Sequence, residues 1–244
     1  MGQYSEEDEL RFIEGLYGDA NNQLKDIYKQ QRSKRDDLLK EIANILLVYT
    51  IANNVMNMSK LDSEKELARI SALLVKLAKN QAELAVDVIS NILANTVKNT
   101  YEFYSYNYKL KEVKKIIDNS FKGKHFSKRV WSNEEEVAKN LHRQVQDFLN
   151  GKVNVNQIKK SIEKTYNNSA YEVKRLVETE VNRCEDEAFR RFCKETGVKK
   201  VKRNEVLDSK TCSKCAPLNG KVYNLDDAPG VVHPLCRGFN TIEE

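Results

Sequence analysis

The residues best suited to chemistry are concentrated near one end of the sequence. Cys212, Cys215, His233 and Cys236 include three of the five cysteines and one of the three histidines. Their spacing is C-x2-C, seventeen intervening residues and then H-x2-C. Thiolates and an imidazole supplied by two tight turns are the usual ligands of a closed tetrahedral zinc site. The four residues are therefore predicted to hold a structural Zn²⁺.

Two other uses of these cysteines stay open on the sequence alone. Cys212 and Cys215 have the spacing of a redox dithiol, but no βαβ pattern precedes them and the second pair would be unexplained. A structural disulfide is the other alternative, although an odd cysteine count and the lack of a recognisable secretory signal favour reduced thiols. Between the pairs, Asn219-Gly220 predicts a type I′ turn before a short strand at 221–225.

These residues also carry a resemblance to a known family. The sequence resembles the C-terminal domain of the phage Mu F-like minor head proteins, or phage head morphogenesis proteins, in four pieces: RVWS at 129–132, ETEVNR at 178–183, LDSKTCSKCAPLNGKV at 207–222 and HPLCR at 233–237. The similarity covers about residues 126–240. The family commonly has Arg where Glu178 stands and a further cysteine where Gly238 stands, and neither departure affects the four predicted ligands.

The resemblance implies a structural role in a virion. It implies a minor capsid protein that binds the portal protein inside the head of a tailed phage, with other head or capsid proteins as further partners. Such a protein assists head assembly, DNA packaging or DNA ejection, and is found in the host cytoplasm during assembly. Polar residues in or beside the matching motifs are expected to be structural: Thr179, Glu180, Arg183, Asp208 and Arg237.

Composition indicates a water-soluble chain with one large or two small domains. The 244 residues are 32% charged and 40% hydrophobic, and the net charge is +5. No run of about eighteen apolar residues is present, so no membrane association is expected. The predicted fold is mainly α with a small β part: a long antiparallel helical hairpin, then a helical domain that ends in a small zinc-stabilised three-stranded sheet.

The hairpin is predicted for residues 1–118. Helices are expected at 6–17, ending at Gly18, at 19–58 and at 64–117, because proline is absent there and apolar residues recur at helical spacing. The hairpin either only stiffens the protein or projects to dock on a large partner. The second interpretation is favoured, since two helices alone would leave apolar stripes uncovered.

A basic, aromatic segment follows, and residues 119–131 are interpreted as a linker. Cationic side chains beside stacking rings suit nucleic acid, including double-stranded DNA. The candidate contacts are Lys109, Lys111, Lys114, Lys115, Lys122, Lys124, Lys128 and Arg129. The alternative, which is favoured, is a solvated basic face whose aromatic rings lie in the core.

Residues 132–244 form the predicted Mu F-like domain. Helices are expected at 132–150, with Ser132 in a capping box, at 157–166 and at 169–196, and strands at 198–207, 221–225 and 238–242. In the last helix, Glu180 falls within the apolar stripe and needs a partner. It is either a catalytic or recognition carboxylate or, as is favoured, a buried acid satisfied by Arg183, three residues on, or by backbone donors near the metal site. Cys184 is expected in the core and Cys193 on the surface.

The cations of the first predicted strand have two interpretations. Lys199, Lys200, Lys202 and Arg203 could contact phosphates, or they could protect an edge strand from aggregation. Catalysis is not expected, because no nucleophile or second carboxylate stands at a spacing that matches Glu180. A zinc deaminase would need H-x-E, whereas Pro-Leu follows His233.

Overall fold

The computed structural model describes residues 5–209 and 211–243, and in these ranges the chain is mainly α-helical with a small β part, as predicted. The helices are α1 (Glu6–Val48), α2 (Lys60–Phe103), α3 (Leu110–Asp118), α4 (Phe126–Leu149) and α5 (Val155–Thr196). The strands are β1 (Thr50–Ala52), β2 (Val55–Asn57), β3 (Lys200–Asn204), β4 (Val222–Asn224) and β5 (Phe239–Glu243). None of these helices combines the length and apolarity needed to cross a bilayer.

The described residues form two compact units, each assembled from separated segments. Unit 1 contains the described residues up to 24, residues 88–126, and those from 174 onward; unit 2 contains 25–87 and 127–173. Helices α1, α2 and α5 are each divided, with one segment in unit 1 and another in unit 2. The division into 1–118, 119–131 and 132–244 stays a prediction about which ranges fold independently.

The first predicted helix does not end at Gly18. It continues into the second predicted helix, and the two together form α1. A glycine inside a helix costs about 1 kcal/mol relative to alanine. Ile13, Leu16 and Ala20 on either side of it are buried along one face, and their burial outweighs that cost. Ser5 caps the helix, since its hydroxyl accepts a hydrogen bond from the Asp8 N–H at 3.2 Å.

A β-hairpin, rather than a continued helix, follows α1. Asn53 and Asn54 have φ angles of +51° and +67°, and Ala52 pairs with Val55 across them. Asparagine tolerates this left-handed region, and two such residues in a row form a type I′ turn. The predicted helix at 19–58 therefore stops ten residues early, at Val48.

In unit 2, α1 and α2 run antiparallel. Arg69 on α2 forms an ion pair with Glu41 on α1 at 2.5 Å, and the Lys34 ammonium on α1 donates to the Leu77 carbonyl on α2 at 2.8 Å. Their apolar side chains pack against those of α4 and α5. The core of this unit consists of Leu38, Ile42, Ile45, Met56, Ile70, Leu74, Leu141, Val145, Phe148, Leu149, Ile158, Ile162 and Tyr166. The expectation that this part of the hairpin leaves its stripe uncovered is therefore wrong.

Helices α4 and α5 also differ from the predicted boundaries. Helix α4 begins at Phe126, six residues before Ser132, so Ser132 lies inside the helix and does not cap it. Helix α5 is continuous where two helices were predicted, and Ser169 is buried within it. The Ser169 hydroxyl accepts a hydrogen bond from Gln31 at 2.9 Å, so a residue expected at the start of a helix is instead satisfied by a side chain on α1.

Unit 1 contains the three-stranded sheet in the order β4-β3-β5, with both pairings antiparallel. The predicted strands are therefore present, but β3 is central and its lysines do not protect an edge. The sheet packs on α5 through a cluster of Tyr104, Phe189, Phe192, Cys193, Val201, Leu225 and Ala228. Cys193 is consequently buried, contrary to prediction, because the sheet covers the side of α5 opposite Cys184.

Candidate metal centre

The first loop of the candidate site is a tight turn that carries Cys212 and Cys215. The N–H groups of Cys215 and Ala216 both donate to the Cys212 carbonyl, at 3.1 and 3.0 Å, and a 3-10 turn over Ala216–Leu218 follows. This backbone turns both sulfur atoms towards the same space. Two residues between ligands is the separation that such a turn requires.

The turn at Asn219-Gly220 is type II, so the type I′ prediction is wrong. Asn219 has φ −58° and ψ 132°, and Gly220 has φ +73°. Both turn types accept glycine at the second central position, but only type I′ also needs a positive φ at the first. The turn does not join two paired strands. Instead the Gly220 N–H donates to the Arg203 carbonyl on β3 at 2.7 Å.

The second loop carries His233 and Cys236. The Cys236 N–H donates to the His233 carbonyl at 3.1 Å, which closes a second turn. His233 Nδ1 lies 2.7 Å from the Pro234 carbonyl. A carbonyl only accepts, so Nδ1 carries the proton and Nε2 keeps the lone pair that a metal would use.

The two loops bring the donor atoms of Cys212, Cys215 and His233 within 4.8 Å of one another, and the Cys236 sulfur lies beside that of Cys215. His233 Nε2 lies 3.1 Å from both the Cys212 and the Cys215 sulfur, and the Cys215 and Cys236 sulfurs are 3.9 Å apart. In tetrahedral zinc sites, bond lengths of about 2.3 Å to sulfur place two sulfurs roughly 3.8 Å apart. The sulfur pair fits this geometry, and the two sulfur to nitrogen contacts would open by a few tenths of an ångström.

The donors differ in burial and in acidity. Backbone N–H groups of Cys215 and Lys214 point at the Cys212 sulfur and lower the pKa of that half-buried thiol to about 7. Burial has the opposite effect on Cys215 and raises the pKa of its thiol to about 12. A buried thiolate therefore needs a cation beside it, and binding of a metal ion would release protons.

Polar residues of the matching motifs fasten both loops in place. The Thr179 hydroxyl on α5 accepts the Leu235 N–H at 3.1 Å, where Leu235 takes a φ of +62°. Asp208 and Arg237, one beside each loop, form a two-point ion pair at 2.6 and 2.9 Å. Three of the five predicted structural polar residues thus lie beside the two donor loops and hold them.

Glu180 and Arg183 form a buried pair that does not contact the four donors. Arg183 Nε donates to Glu180 Oε2 at 2.6 Å, as the spacing on α5 predicted. Its Nη1 also donates to the Ile116 carbonyl at 2.8 Å, on α3. Because both side chains are at most 6% exposed, their role in unit 1 is to join α5 to α3.

Sequence reasoning missed two residues beside the sulfurs, Arg203 and Glu205. Arg203 is fully buried, so it cannot contact phosphates as suggested. A carboxylate oxygen of Glu205 and the sulfurs of Cys215 and Cys236 lie within 4.8 Å of one another. The alternation of side chains along β3 could have predicted the burial of Arg203, because Arg203 shares the inward face with Val201 while Lys202 does not.

The basic segment is divided between surface cations and core rings. Of the candidate cations on or beside α3, Lys109, Lys111, Lys114 and Lys115 are exposed, as are Lys122 and Lys128. Lys124 and Arg129 are half-buried. Part of the aromatic set does not reach this surface: Tyr101 and Tyr104 are buried, and Tyr104 stacks on Phe192 with ring centroids 4.7 Å apart. Other rings do reach it, since Trp131 is 44% exposed and the Lys122 ammonium lies over the Phe121 ring, 5.2 Å from its centroid.

Compared with protein-family models, curated proteins and solved structures, the chain gives no match. The resemblance to the Mu F-like minor head proteins therefore stays a hypothesis that depends on the motif residues themselves.

Proposed function

We propose that Cys212, Cys215, His233 and Cys236 bind one Zn²⁺ and that this ion is structural. Three sulfurs and one imidazole nitrogen form a donor set that suits zinc better than the oxygen-seeking Mg²⁺ or Ca²⁺. If all four bind, no coordination position is left for a substrate or an attacking water. The ion would clamp both loops to each other and so hold the sheet of unit 1 on α5.

The whole chain, on this proposal, is a minor capsid or head morphogenesis protein of a tailed phage. It would bind the portal vertex inside the head and assist assembly, DNA packaging or DNA ejection. One observation carries the proposal: residues of three separate matching motifs meet at one centre. Thr179 contacts the loop of His233 and Cys236, and Asp208 is paired with Arg237.

Binding to the portal protein encoded by the same phage genome tests this function. The full chain, immobilised at one end, should retain the purified portal ring, and peptides of the chain should be found in purified heads. The variant Cys215→Ala is the matched comparison for metal dependence. Absence of the chain from purified heads, together with no portal binding by the zinc-loaded protein, would overturn the proposal.

A second function, binding of duplex DNA, is supported by the exposed lysines of α3. Val113 and Ile116 face the core while Lys111, Lys114 and Lys115 face solvent, so the helix presents a basic surface. Contacts to phosphates would suit this surface, because lysine ammonium groups donate hydrogen bonds to phosphate oxygens and neutralise their charge. The two functions are compatible, since a protein at the portal meets the packaged genome.

A further inference from the structure

Arg203 is a fully buried cation whose hydrogen bonds reach the candidate metal centre. Its Nε donates to Glu205 Oε1 at 2.8 Å and its Nη1 to the Pro229 carbonyl at 3.1 Å. Its Nη2 lies 3.4 Å from the Cys236 sulfur, within hydrogen-bond distance for sulfur. The guanidinium therefore links the central strand β3 to one of the four donors.

Burying this cation is costly, so its presence needs a reason. Desolvation of a buried ion pair often exceeds the attraction between its members, and apolar residues of similar size commonly stabilise a core as well or better. Arg203 and Glu205 nevertheless stand at inward positions of β3 and its continuation, with 0% and 3% of their side chains exposed. An ion pair thus occupies a place where apolar residues of similar volume would commonly serve the fold as well.

Gly238 provides the space that the pair occupies. A Cβ atom at this position would lie 2.2 Å from Arg203 Nη2 and 2.3 Å from Glu205 Oε1. Any side chain at 238 would displace the guanidinium. In addition, the Gly238 carbonyl accepts a hydrogen bond from Asn182 on α5 at 2.9 Å, which fixes the backbone two residues after Cys236.

We propose that Arg203 is a positioning residue of the metal centre, and that its guanidinium donates a hydrogen bond to the Cys236 sulfur when this sulfur is a metal ligand. Glu205 holds the guanidinium and Gly238 leaves room for it. The inference rests on the proposed metal binding. Arg203, although it is not a ligand, would then increase the affinity of the centre for a divalent ion that binds thiolates.

The chemical reason is the excess charge of the donor set. Three thiolates around one divalent cation leave negative charge on the sulfurs. A charge-assisted hydrogen bond from a guanidinium withdraws part of this charge from Cys236 and fixes the direction of its lone pairs. Loss of such a partner of a metal ligand typically weakens metal binding about 10- to 100-fold.

Cobalt substitution in the full chain tests the inference. The double variant Arg203→Met with Glu205→Leu removes both charges, keeps similar volume and is expected to fold. Gly238→Ala displaces the guanidinium and its Glu205 partner while leaving both residues in the chain. Lys200→Met, an exposed cation on the same strand, is the matched control. Affinity for Co²⁺ is measured by competition with a chromophoric chelator, together with the sulfur-to-cobalt charge-transfer band.

Both the double variant and Gly238→Ala should bind Co²⁺ about 10- to 100-fold more weakly. Their charge-transfer band should move to lower energy, because a sulfur without the hydrogen bond is more easily oxidised. Lys200→Met should match wild type. Glu205→Gln, which keeps an acceptor for Arg203, should retain the wild-type band.

The inference is overturned if the variants at 203 and 238 keep wild-type affinity and an unshifted band. It is also overturned if Glu205→Gln alone reproduces the full loss, since Glu205 would then act directly on the ion. A wild-type chain that binds neither Co²⁺ nor Zn²⁺ would instead refute the metal proposal itself. Should the double variant fail to fold, Gly238→Ala decides, because it keeps Arg203, Glu205 and all four proposed ligands in the chain.

Discussion

The Asp208 carboxylate accepts two hydrogen bonds from the Arg237 guanidinium, at 2.6 Å from Nη2 and 2.9 Å from Nη1. Asp208 stands just before the loop of Cys212 and Cys215, and Arg237 directly follows Cys236. The pair therefore joins the two loops outside the ring of donors. About a third of each side chain is exposed, so solvent screens the attraction.

Asp208→Asn should loosen the two loops without unfolding unit 1. The neutral amide keeps one hydrogen bond but loses the ion pair, so we expect stability to fall by at most about 1 kcal/mol. Zinc should leave faster to an added chelator, as measured by stopped-flow absorbance. Asp226→Asn, which breaks an exposed pair with Lys194 away from the loops, is the control. Equal zinc release in both variants would contradict the prediction.

Cys215→Ala should abolish stoichiometric zinc binding, because the Cys215 sulfur contacts both His233 and Cys236. At a free zinc concentration 1,000 times Kd, binding stabilises the fold by about 4 kcal/mol. A strong chelator should therefore lower the Tm of wild type and leave that of the variant unchanged. Cys193→Ala removes a buried thiol on α5, outside the proposed metal centre, and controls for the packing lost with a cysteine side chain. A chelator effect of the same size in Cys215→Ala would exclude Cys215 as a ligand.

Arg183→Met should be among the most damaging single substitutions in unit 1. It leaves Glu180 buried without its cation and removes the link to the Ile116 carbonyl. Breaking a buried pair from one side typically costs about 3–5 kcal/mol. Urea unfolding measures the loss. Lys174→Met breaks the pair between the exposed Lys174 and the half-buried Glu178 on the same helix, and should cost less than about 0.5 kcal/mol.

Glu134 on α4 should make the stability of unit 2 depend on pH. Burial raises the pKa of Glu134 from 4.5 to about 7, although Lys34 and a hydrogen bond to Ser169 lower it. The folded state thus binds this proton more tightly than the unfolded state, and stability should fall as pH rises from about 5 to 7.5. At about 1.4 kcal/mol for each pH unit between the two pKa values, the fall is on the order of 3 kcal/mol.

Glu134→Gln should remove that fall, as urea unfolding between pH 5 and 8 would show. Burial also lowers the pKa of the neighbouring Lys34 to about 8. A depressed lysine pKa costs stability as pH decreases from about 10.5 towards 8, which lies above the range of this test. Glu136→Gln, on the exposed face of the same helix, should keep the wild-type profile. A Glu134→Gln variant with an unchanged profile would refute the assignment.

If α3 contacts DNA, the triple variant Lys111→Gln, Lys114→Gln and Lys115→Gln should bind duplex DNA more weakly. Each phosphate contact contributes about 0.9 to the slope of log affinity against log salt, so the slope should decrease by about 2.7. Fluorescence anisotropy at several salt concentrations measures it. The control replaces three exposed lysines of α5: Lys159, Lys160 and Lys164. An equal decrease in both proteins would mean that α3 is not a specific contact surface.

Local signals predicted the features that depend on local chemistry. The spacing of Cys212, Cys215, His233 and Cys236 needs only two tight turns, and both form through backbone hydrogen bonds within the loops. The Glu180–Arg183 pair depends only on helical geometry, because residues three apart in a helix lie on the same face. Both were accessible from the sequence because each partner is close in the chain or fixed by a short motif.

Features that depend on distant segments were not predicted. A helix was predicted to end at Gly18 and another to begin at Ser169, yet packing against other helices keeps both residues inside helices. Cys193 was expected on the surface because the sheet that buries it is formed by later residues. Arg203 resembled its neighbouring lysines, since only the pairing of β3 with two strands shows that the position is enclosed.

The segmented composition of unit 1 constrains when it can form during translation. Its opening turns, up to Leu24, are made first, but strand β5 and the second donor loop are made on the order of tens of seconds later at typical ribosome speeds. The last residue of unit 2 is residue 173. On the ribosome, every segment of unit 2 is therefore made before strand β5 and the second donor loop, so unit 1 is the last of the two units that can be completed.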